Sequence, residues 1–234
     1  MRLILDDEVL GAGGTLAKLA RAGHELQVLF LTDGVGSRFV GHLQEHERLI
    51  AVENRSAAAL RAANVLGLFL SRRHVIGTEP FVSSDNAMDA SPLLNVVRAI
   101  SSELDSFHPD VVYTNSITDL NIDHRRTAEA VLVATRPVPG TPGAGVRVVY
   151  SFEVPSSTEW AFGQLGTFRP TVFECLGGVD WETKEKALDC YADELRPYPH
   201  PRSKEVLKAV AQVRGAMVGV GLAEAFEVIR DVRE

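Results

Sequence analysis

Apolar runs of strand length alternate with amphipathic helical segments along this chain, and this alternation restricts the fold more than any other feature. The run HELQVLFLT predicts a buried strand, and EVLGAGGTLAKLARAG before it has apolar residues at helical spacing. The same elements recur where the strand-like HPDVVYTN precedes the helical DHRRTAEAVLVATR. Alternating strands and helices form mostly parallel sheets that are covered on both faces. We therefore expect the α/β class, as a Rossmann-like three-layer αβα sandwich with a mostly parallel sheet.

Chain size and charge narrow the functional classes. The 234 residues, 45% of them apolar, suffice for one full core, so residues 1–234 are expected to form a single domain. The net charge of −7 argues against a nucleic acid or an anionic membrane as partner, because both select clustered Lys and Arg. A small polar substrate fits better. No apolar run approaches the ~20 residues of a membrane span and no signal-peptide pattern is present, so we expect a cytoplasmic protein.

Two acidic loops follow strand-like runs. The consecutive acids Asp6, Asp7 and Glu8 come directly after MRLIL, and TNSITDLNIDH comes after VVY. Because ligands of open α/β sheets bind at the carboxyl ends of the strands, both loops should open on one rim. Carboxylates and imidazole are ligands of Zn²⁺. Asp7 and His124 are therefore candidate metal ligands, Asp6 is a candidate general base, and Asp123 is expected to orient its neighbours.

The stretch DDEVLGAGGTLAKLARAGHELQVLFLTDG resembles the signature of the PIG-L/LmbE-type zinc-dependent N-acetylglucosaminyl deacetylases. The likeness continues through HPDVVYTN, DLNIDHR, SFEVPSSTEW, HPRS and AEAFEVIR. The resemblance implies a hydrolase that cleaves the acetamide of an N-acetylated sugar or sugar-bearing metabolite and releases acetate and a free amine. It further implies Zn²⁺ or another divalent metal as cofactor and a small-molecule N-acetylated glycoside as substrate. Relatives often assemble, so a homo-oligomer is also expected.

The resemblance assigns roles to individual residues. It makes Asp6 the general base and makes Asp7 and His124 metal ligands. Asn121 stands where many members have a His that stabilises the oxyanion, and an Asn amide can still donate a hydrogen bond to that charge. Arg55, in VENRSAAALRAANVLG, is a candidate for the family's active-site arginine, although an ordinary helical position explains it equally well.

Two further residues are candidates for the substrate cleft. His200 in HPRS could line it, although a turn before Pro201 explains this residue nearly as well. Trp160 in SSTEWAFG could stack on a sugar ring, and packing in the core is the equally plain alternative.

The first motif departs from the family pattern. Ile4 occupies the position of the family's first metal-binding His, and Leu5 occupies the Pro position. Either these are substitutions, or a few residues are missing between MRLIL and DDE, since MRLIL resembles the whole family strand before the motif. Asp7 and His124 alone are two protein ligands where a catalytic zinc usually has three. The carboxylates that could complete the set are Asp6, Glu8 and Asp119.

Two other functions stay open at this point. A relative with a degenerate metal site would be non-catalytic and would bind a sugar or a protein partner. The stretch GAGGTL after a strand also resembles a nucleotide-binding loop. The dinucleotide fingerprint requires Gly where Leu16 stands, however, and the preceding acids would repel a pyrophosphate. We therefore expect metal-dependent deacetylation.

Overall fold

The structure is a computed structural model that describes residues 7–33, 35, 44–70 and 88–233. Its α-helices are α1 (Asp7–Arg21), α2 (Glu45–Leu66), α3 (Leu93–Phe107), α4 (Ile122–Ala134), α5 (Gly178–Asp189) and α6 (Lys204–Met217). Its strands are β1 (Gln27–Val28), β2 (Phe69–Leu70), β3 (Val111–Asn115), β4 (Val148–Phe152), β5 (Val172–Cys175) and β6 (Ala223–Asp231). Within these ranges no helix has the length and apolar character that crossing a membrane requires. The strand expected at MRLIL lies outside the described residues.

The described strands form two sheets. β1 pairs with β2 in parallel, and the larger sheet has the order β3-β4-β6-β5. In the larger sheet β3 and β4 are parallel, whereas β6 runs antiparallel to both of its neighbours. The mixed α/β architecture is confirmed. The expectation of a mostly parallel sheet is not, because β6 returns after α6 between β4 and β5 and makes the larger sheet only partly parallel.

Helices cover both faces of the larger sheet. Successive side chains of a strand point to opposite faces, so each strand contributes residues to the packing on both sides. Val112 and Val149 belong to a buried cluster that includes residues of α3 and α4. Tyr113 and Tyr150, one position further along each strand, pack against a second cluster formed with α1, α2, α5 and α6. The two clusters give the molecule three layers with the sheet in the middle.

The glycines of GAGGTL lie inside α1 and allow close packing. A Cβ atom on Gly11 would stand 2.2 Å from a ring carbon of Phe152, and one on Gly14 would stand 2.5 Å from a methyl group of Leu176. Both distances are shorter than any real contact, so only glycine lets α1 approach the sheet this closely. The interpretation of GAGGTL as a nucleotide-binding loop is therefore wrong.

A buried ion pair is inserted into the middle of α1. Lys184 Nζ donates to Glu224 Oε1 at 2.6 Å and to Leu10 O at 2.8 Å. The Glu224 carboxylate also accepts from the backbone nitrogens of Gly14 and Thr15, at 2.9 and 2.7 Å. Leu10 O is the acceptor that an ideal α-helix assigns to Gly14 N. The pair thus fastens the backbone of α1 to α5 and β6, and this fixes the helix whose first turn carries Asp7.

Candidate active site

Four buried polar side chains meet where β3 ends and where α1 and α4 begin. Asp7 lies in the first turn of α1, and Asn115 is the last residue of β3. Asp119 lies in the loop that follows, and His124 lies in the first turn of α4. Their exposed fractions are between 0 and 2%. Because burying this much polarity is costly unless the groups interact, their contacts determine what the site can do.

His124 is held between two carboxylates. Its Nε2 lies 2.9 Å from Asp7 Oδ2, and its Nδ1 lies 3.1 Å from Asp119 Oδ1. Asp119 in turn accepts hydrogen bonds from the hydroxyls of Ser157 and, at 2.6 Å, Thr158. Asp119 thus lies within ion-pair distance of Nδ1, on the side of the ring opposite to the one that faces Asp7.

The electrostatics of this group favour positive charge. Burial alone would lower the pKa of His124, but the carboxylates of Asp7 and Asp119 outweigh burial and raise that pKa to about 10. Burial would raise the pKa of Asp119, but His124 and the hydrogen bonds from Ser157 and Thr158 hold it below its usual value. The site therefore stabilises a cation next to Asp7.

Asp7 and His124 suit a divalent metal in type and in spacing. Carboxylate oxygen and imidazole nitrogen are both zinc ligands, and two ligands of a tetrahedral zinc stand about 3.3 Å apart. The observed separation of 2.9 Å needs only a small opening to reach that value. Across the described ranges, however, no group of three or more His, Cys, Asp and Glu is arranged to hold a metal ion. These two residues fit the metal as a partial ligand set.

The carboxylates that could complete the set are engaged or undescribed. Glu8 Oε1 accepts from the Tyr191 hydroxyl at 2.7 Å. Asp119 faces Nδ1 of His124, which is the ring nitrogen on the side away from Asp7. Asp6, the candidate base, lies outside the described residues.

Asn121 and Asp123 stabilise the start of α4. Asn121 is the N-cap, and its Oδ1 accepts from Asp123 N at 2.8 Å. The cap uses the amide oxygen, so Nδ2 remains the donor that the expected oxyanion role requires. Asp123 Oδ1 accepts from Met88 N at 3.1 Å. The carboxylate within 3.1 Å of His124 Nδ1 is that of Asp119, and the role of Asp123 in orienting its neighbours stays a prediction.

Arg55 lies beside a cavity next to the start of α1. It is buried and forms an ion pair with Glu194, which also lies 3.4 Å from Arg202 Nη1. The cavity has a volume of about 410 Å³ and lies between α2 and residues 190–194. Tyr191 lines it and donates to Glu8, the neighbour of Asp7. The cavity wall is therefore connected to the first turn of α1 by one hydrogen bond.

Trp160 and His200 form an aromatic pair. Their ring centroids are 5.5 Å apart, in an edge-to-face arrangement, and Trp160 is 40% exposed. His200 Nδ1 accepts from Arg202 N at 3.0 Å, and burial together with Arg202 and Arg196 lowers the pKa of His200. Trp160 comes two positions after Thr158, which donates to Asp119, so the same segment contacts both this aromatic pair and the neighbour of His124.

The sequence interpretation assigned no role in the site to Asn115, Ser157 or Thr158. Asn115 ends the strand VVYTN, so its position at the rim was a signal that it faces the candidate metal ligands. The hydroxyls of SFEVPSSTEW carried no comparable signal, since their contact with Asp119 spans 38 and 39 positions.

Solved structures share the fold across the full length of this chain. N,N'-diacetylchitobiose deacetylase from Pyrococcus horikoshii is 19% identical and matches with a TM-score of 0.69, over 98% of this chain and 82% of that chain. The 4-carboxy-2-hydroxymuconate hydratase GalB from Pseudomonas putida KT2440 is 23% identical and matches with a TM-score of 0.70, over 100% of this chain and 96% of that chain. The zinc-inhibited form of teicoplanin deacetylase Orf2 is 20% identical, with a TM-score of 0.68 over 100% of both chains.

Family comparison supplies the assignment. No curated protein matches the chain at a significant level. Residues 5–135 match the PIG-L family, described as GlcNAc-PI de-N-acetylase. The matched region is more than half of the chain, and it contains α1, β3, Asp7, Asp119 and His124. The chain belongs to the PIG-L family.

Proposed function

We propose that this protein is a metal-dependent deacetylase that hydrolyses the acetamide of an N-acetylated sugar or sugar-bearing metabolite. The proposal rests on one observation above all: Nε2 of His124 faces Asp7, while Nδ1 lies 3.1 Å from the Asp119 carboxylate. A histidine ligand whose other ring nitrogen meets a carboxylate is the usual arrangement in metal sites. Membership of the PIG-L family and the fold shared with two deacetylases support the same reaction.

Each residue of the site has a separate role in the proposed reaction. Asp7 and His124 would hold the metal, Zn²⁺ or another divalent ion. When bound, such an ion polarises a carbonyl and acidifies a water molecule. Asp119 keeps His124 oriented, and Asp6 takes the proton of the attacking water and delivers it to the leaving amine. Asn121 Nδ2 donates a hydrogen bond to the developing oxyanion.

The other candidates bind the substrate or support the site. Trp160, partly exposed and steadied by His200, offers an apolar face to a sugar ring. Arg55 contributes less than Asn121 to stabilising the oxyanion, because the carboxylate of Glu194 neutralises its charge. We further propose that residues 1–234 act as one cytoplasmic domain and that the chain forms a homo-oligomer.

Acetate release from N-acetylglucosamine and N,N'-diacetylchitobiose, measured by proton NMR, tests the proposal. We expect acetate from the full-length protein, loss of activity with a chelator, and recovery when zinc is restored. Asp6→Asn should abolish turnover while metal content is kept, and His124→Ala should lose the metal. Lys18→Met is the matched control, since it changes the far end of α1.

Two results would contradict the proposal. Retained turnover in Asp6→Asn would remove its role as base, and unchanged metal content in His124→Ala would remove its role as ligand. Sugar binding without metal or acetate release would identify the non-catalytic relative instead.

A further inference from the structure

We propose that Asn115 supplies a third protein ligand to the metal through its side-chain amide oxygen. This inference rests on the metal-dependent function proposed above and concerns a residue to which the sequence analysis assigned no role. Asn115 ends β3 at the rim and is 0% exposed. Its Nδ2 lies 3.4 Å from Asp7 Oδ2, the same oxygen that faces His124 Nε2. Asn115 therefore adjoins both other ligands.

The amide oxygen of Asn115 is buried without a donor. Among the described residues, Oδ1 has no hydrogen-bond partner. Buried polar atoms are almost always satisfied, and an unsatisfied carbonyl oxygen costs free energy. A cation coordinated by this oxygen would remove that cost, as a hydrogen-bond donor would.

The competing oxygens are less suitable. Glu8 Oε1 is bonded to Tyr191, and Asp119 lies on the Nδ1 side of His124. Thr114 also has a buried hydroxyl without a partner, but alternation along β3 places it on the opposite face from Asn115. Asn115 thus combines a side chain next to Asp7 Oδ2 with an amide oxygen that accepts no hydrogen bond among the described residues.

Coordination requires a half-turn of the amide group. In the described structure Nδ2 faces Asp7, and rotation about the bond to the amide carbon exchanges nitrogen and oxygen. The contact given up is long for a hydrogen bond, at 3.4 Å, and the exchange places Nδ2 where Oδ1 now has no partner among the described residues, so coordination of the cation must offset the burial of that donor. With a positive ion beside Asp7, the oxygen becomes the favoured atom on that side.

The resulting ligand set predicts its metal preference. Asp7, His124 and Asn115 would provide two oxygens and one nitrogen. Amide oxygens suit harder ions such as Mn²⁺ better than they suit zinc. We therefore expect weaker zinc binding than a two-histidine site achieves, and we expect Asn115→His to bind zinc more tightly than the parent chain.

Direct metal titration tests the proposal without any use of activity. Full-length protein, stripped with a chelator, is titrated with ZnCl₂ and with MnCl₂ by calorimetry. Asn115→Ala should weaken zinc binding at least ~10-fold, which is the lower end of what outer-shell partners alone contribute. Thr114→Val is the matched control, because it removes a buried, unpartnered hydroxyl from the other face of the same strand. It should leave the affinity unchanged.

Each outcome is decisive. Unchanged affinity in Asn115→Ala overturns the inference, and so does an equal loss in Thr114→Val. If Asn115→Ala fails to fold, tighter zinc binding by Asn115→His supports the ligand role, and unchanged or weaker binding refutes it. If zinc binding is lost in His124→Ala but kept in Asn115→Ala, only this inference fails. If the parent chain binds neither metal, the proposed metal dependence fails with it.

Discussion

Replacing Lys184 with Met should strongly destabilise the protein. Lys184 and Glu224 are each 5% exposed and 2.6 Å apart, so the charges are screened little by water. Met keeps most of the apolar stem but removes the cation, which leaves the Glu224 carboxylate buried with two backbone amides and no countercharge. Removing one partner of a buried pair costs about 3–5 kcal/mol. For a chain of this size, that loss lowers the melting temperature by roughly 6–20 °C.

The chain contains a matched control for this substitution. Lys18 also joins α1 to the sheet, through Glu174 of β5, but the two side chains are 35 and 31% exposed. An ion pair in that environment contributes about 0–1 kcal/mol, so Lys18→Met should be close to neutral. Both variants remove one Lys from a pair that holds α1, which leaves burial as the main difference between them.

Urea unfolding and scanning calorimetry on the full chain measure both variants. The double variant Lys184→Met, Glu224→Gln should lose less stability than the sum of the single variants, because it leaves no unpaired charge. Amide exchange at Gly14 and Thr15 should accelerate when Glu224 is changed, since these amides donate to its carboxylate. If Lys184→Met and Lys18→Met lose equal stability, the insertion of the pair into α1 has no energetic importance and the reasoning fails.

Three further predictions concern packing, titration and substrate contact. Gly11→Ala should cost about 1–3 kcal/mol in urea unfolding, because its Cβ would meet the Phe152 ring; an unchanged midpoint would contradict that packing. NMR titration should place the pKa of His200 below its ordinary value, and Arg202→Gln should raise it. Since the folded-state pKa is depressed, the stability from neutral His200 is present above the ordinary pKa and declines as pH falls. Trp160→Ala should raise KM for a glycoside about tenfold with little change in kcat, and an unchanged KM would exclude ring stacking.

The position of the site could be predicted from the sequence. Apolar runs and helical periodicity located β3, α1 and α4, and the rule that ligands bind at the carboxyl ends of strands placed Asp7 and His124 on one rim. The structure puts Nε2 of His124 2.9 Å from Asp7 Oδ2. This part of the interpretation depends on local patterns and a topological rule, both of which are readable from sequence.

The sheet order and the contacts of α1 could not be predicted in the same way. β6 pairs with β4 and β5 through long-range registers that no local pattern encodes. Glu224 binds Gly14 N across 210 positions, so the polar partner of the glycine-rich helix was invisible from either segment alone. The sequence shows that this helix is unusually rich in glycine. Only the folded structure shows why: Phe152 and Leu176 approach the helix too closely for a larger residue.

Loop geometry decided which carboxylate supports His124. Adjacency in sequence favoured Asp123, but the cap formed by Asn121 turns the first residues of α4 so that Asp123 contacts Met88 N. Asp119, five positions before His124, lies in the loop that bends back toward the ring. At the N-cap of α4 the carboxylate of Asp123 therefore points away from His124, and the carboxylate of Asp119, which is more distant in sequence, lies beside the ring.

One segment contacts Asp119, the neighbour of His124, and also leads into Trp160, the residue proposed to stack on a sugar ring. Ser157 and Thr158 hold Asp119, which orients His124, and Trp160 follows them in a short 3₁₀ helix. A displacement of this segment would move the aromatic face and release the carboxylate behind the ligand together. In the proposed function, substrate contact at Trp160 is therefore coupled through this segment to the position of His124. A loss of metal affinity on changing Thr158 should accordingly be accompanied by weaker glycoside binding, whereas a change at Trp160 itself should affect the glycoside alone.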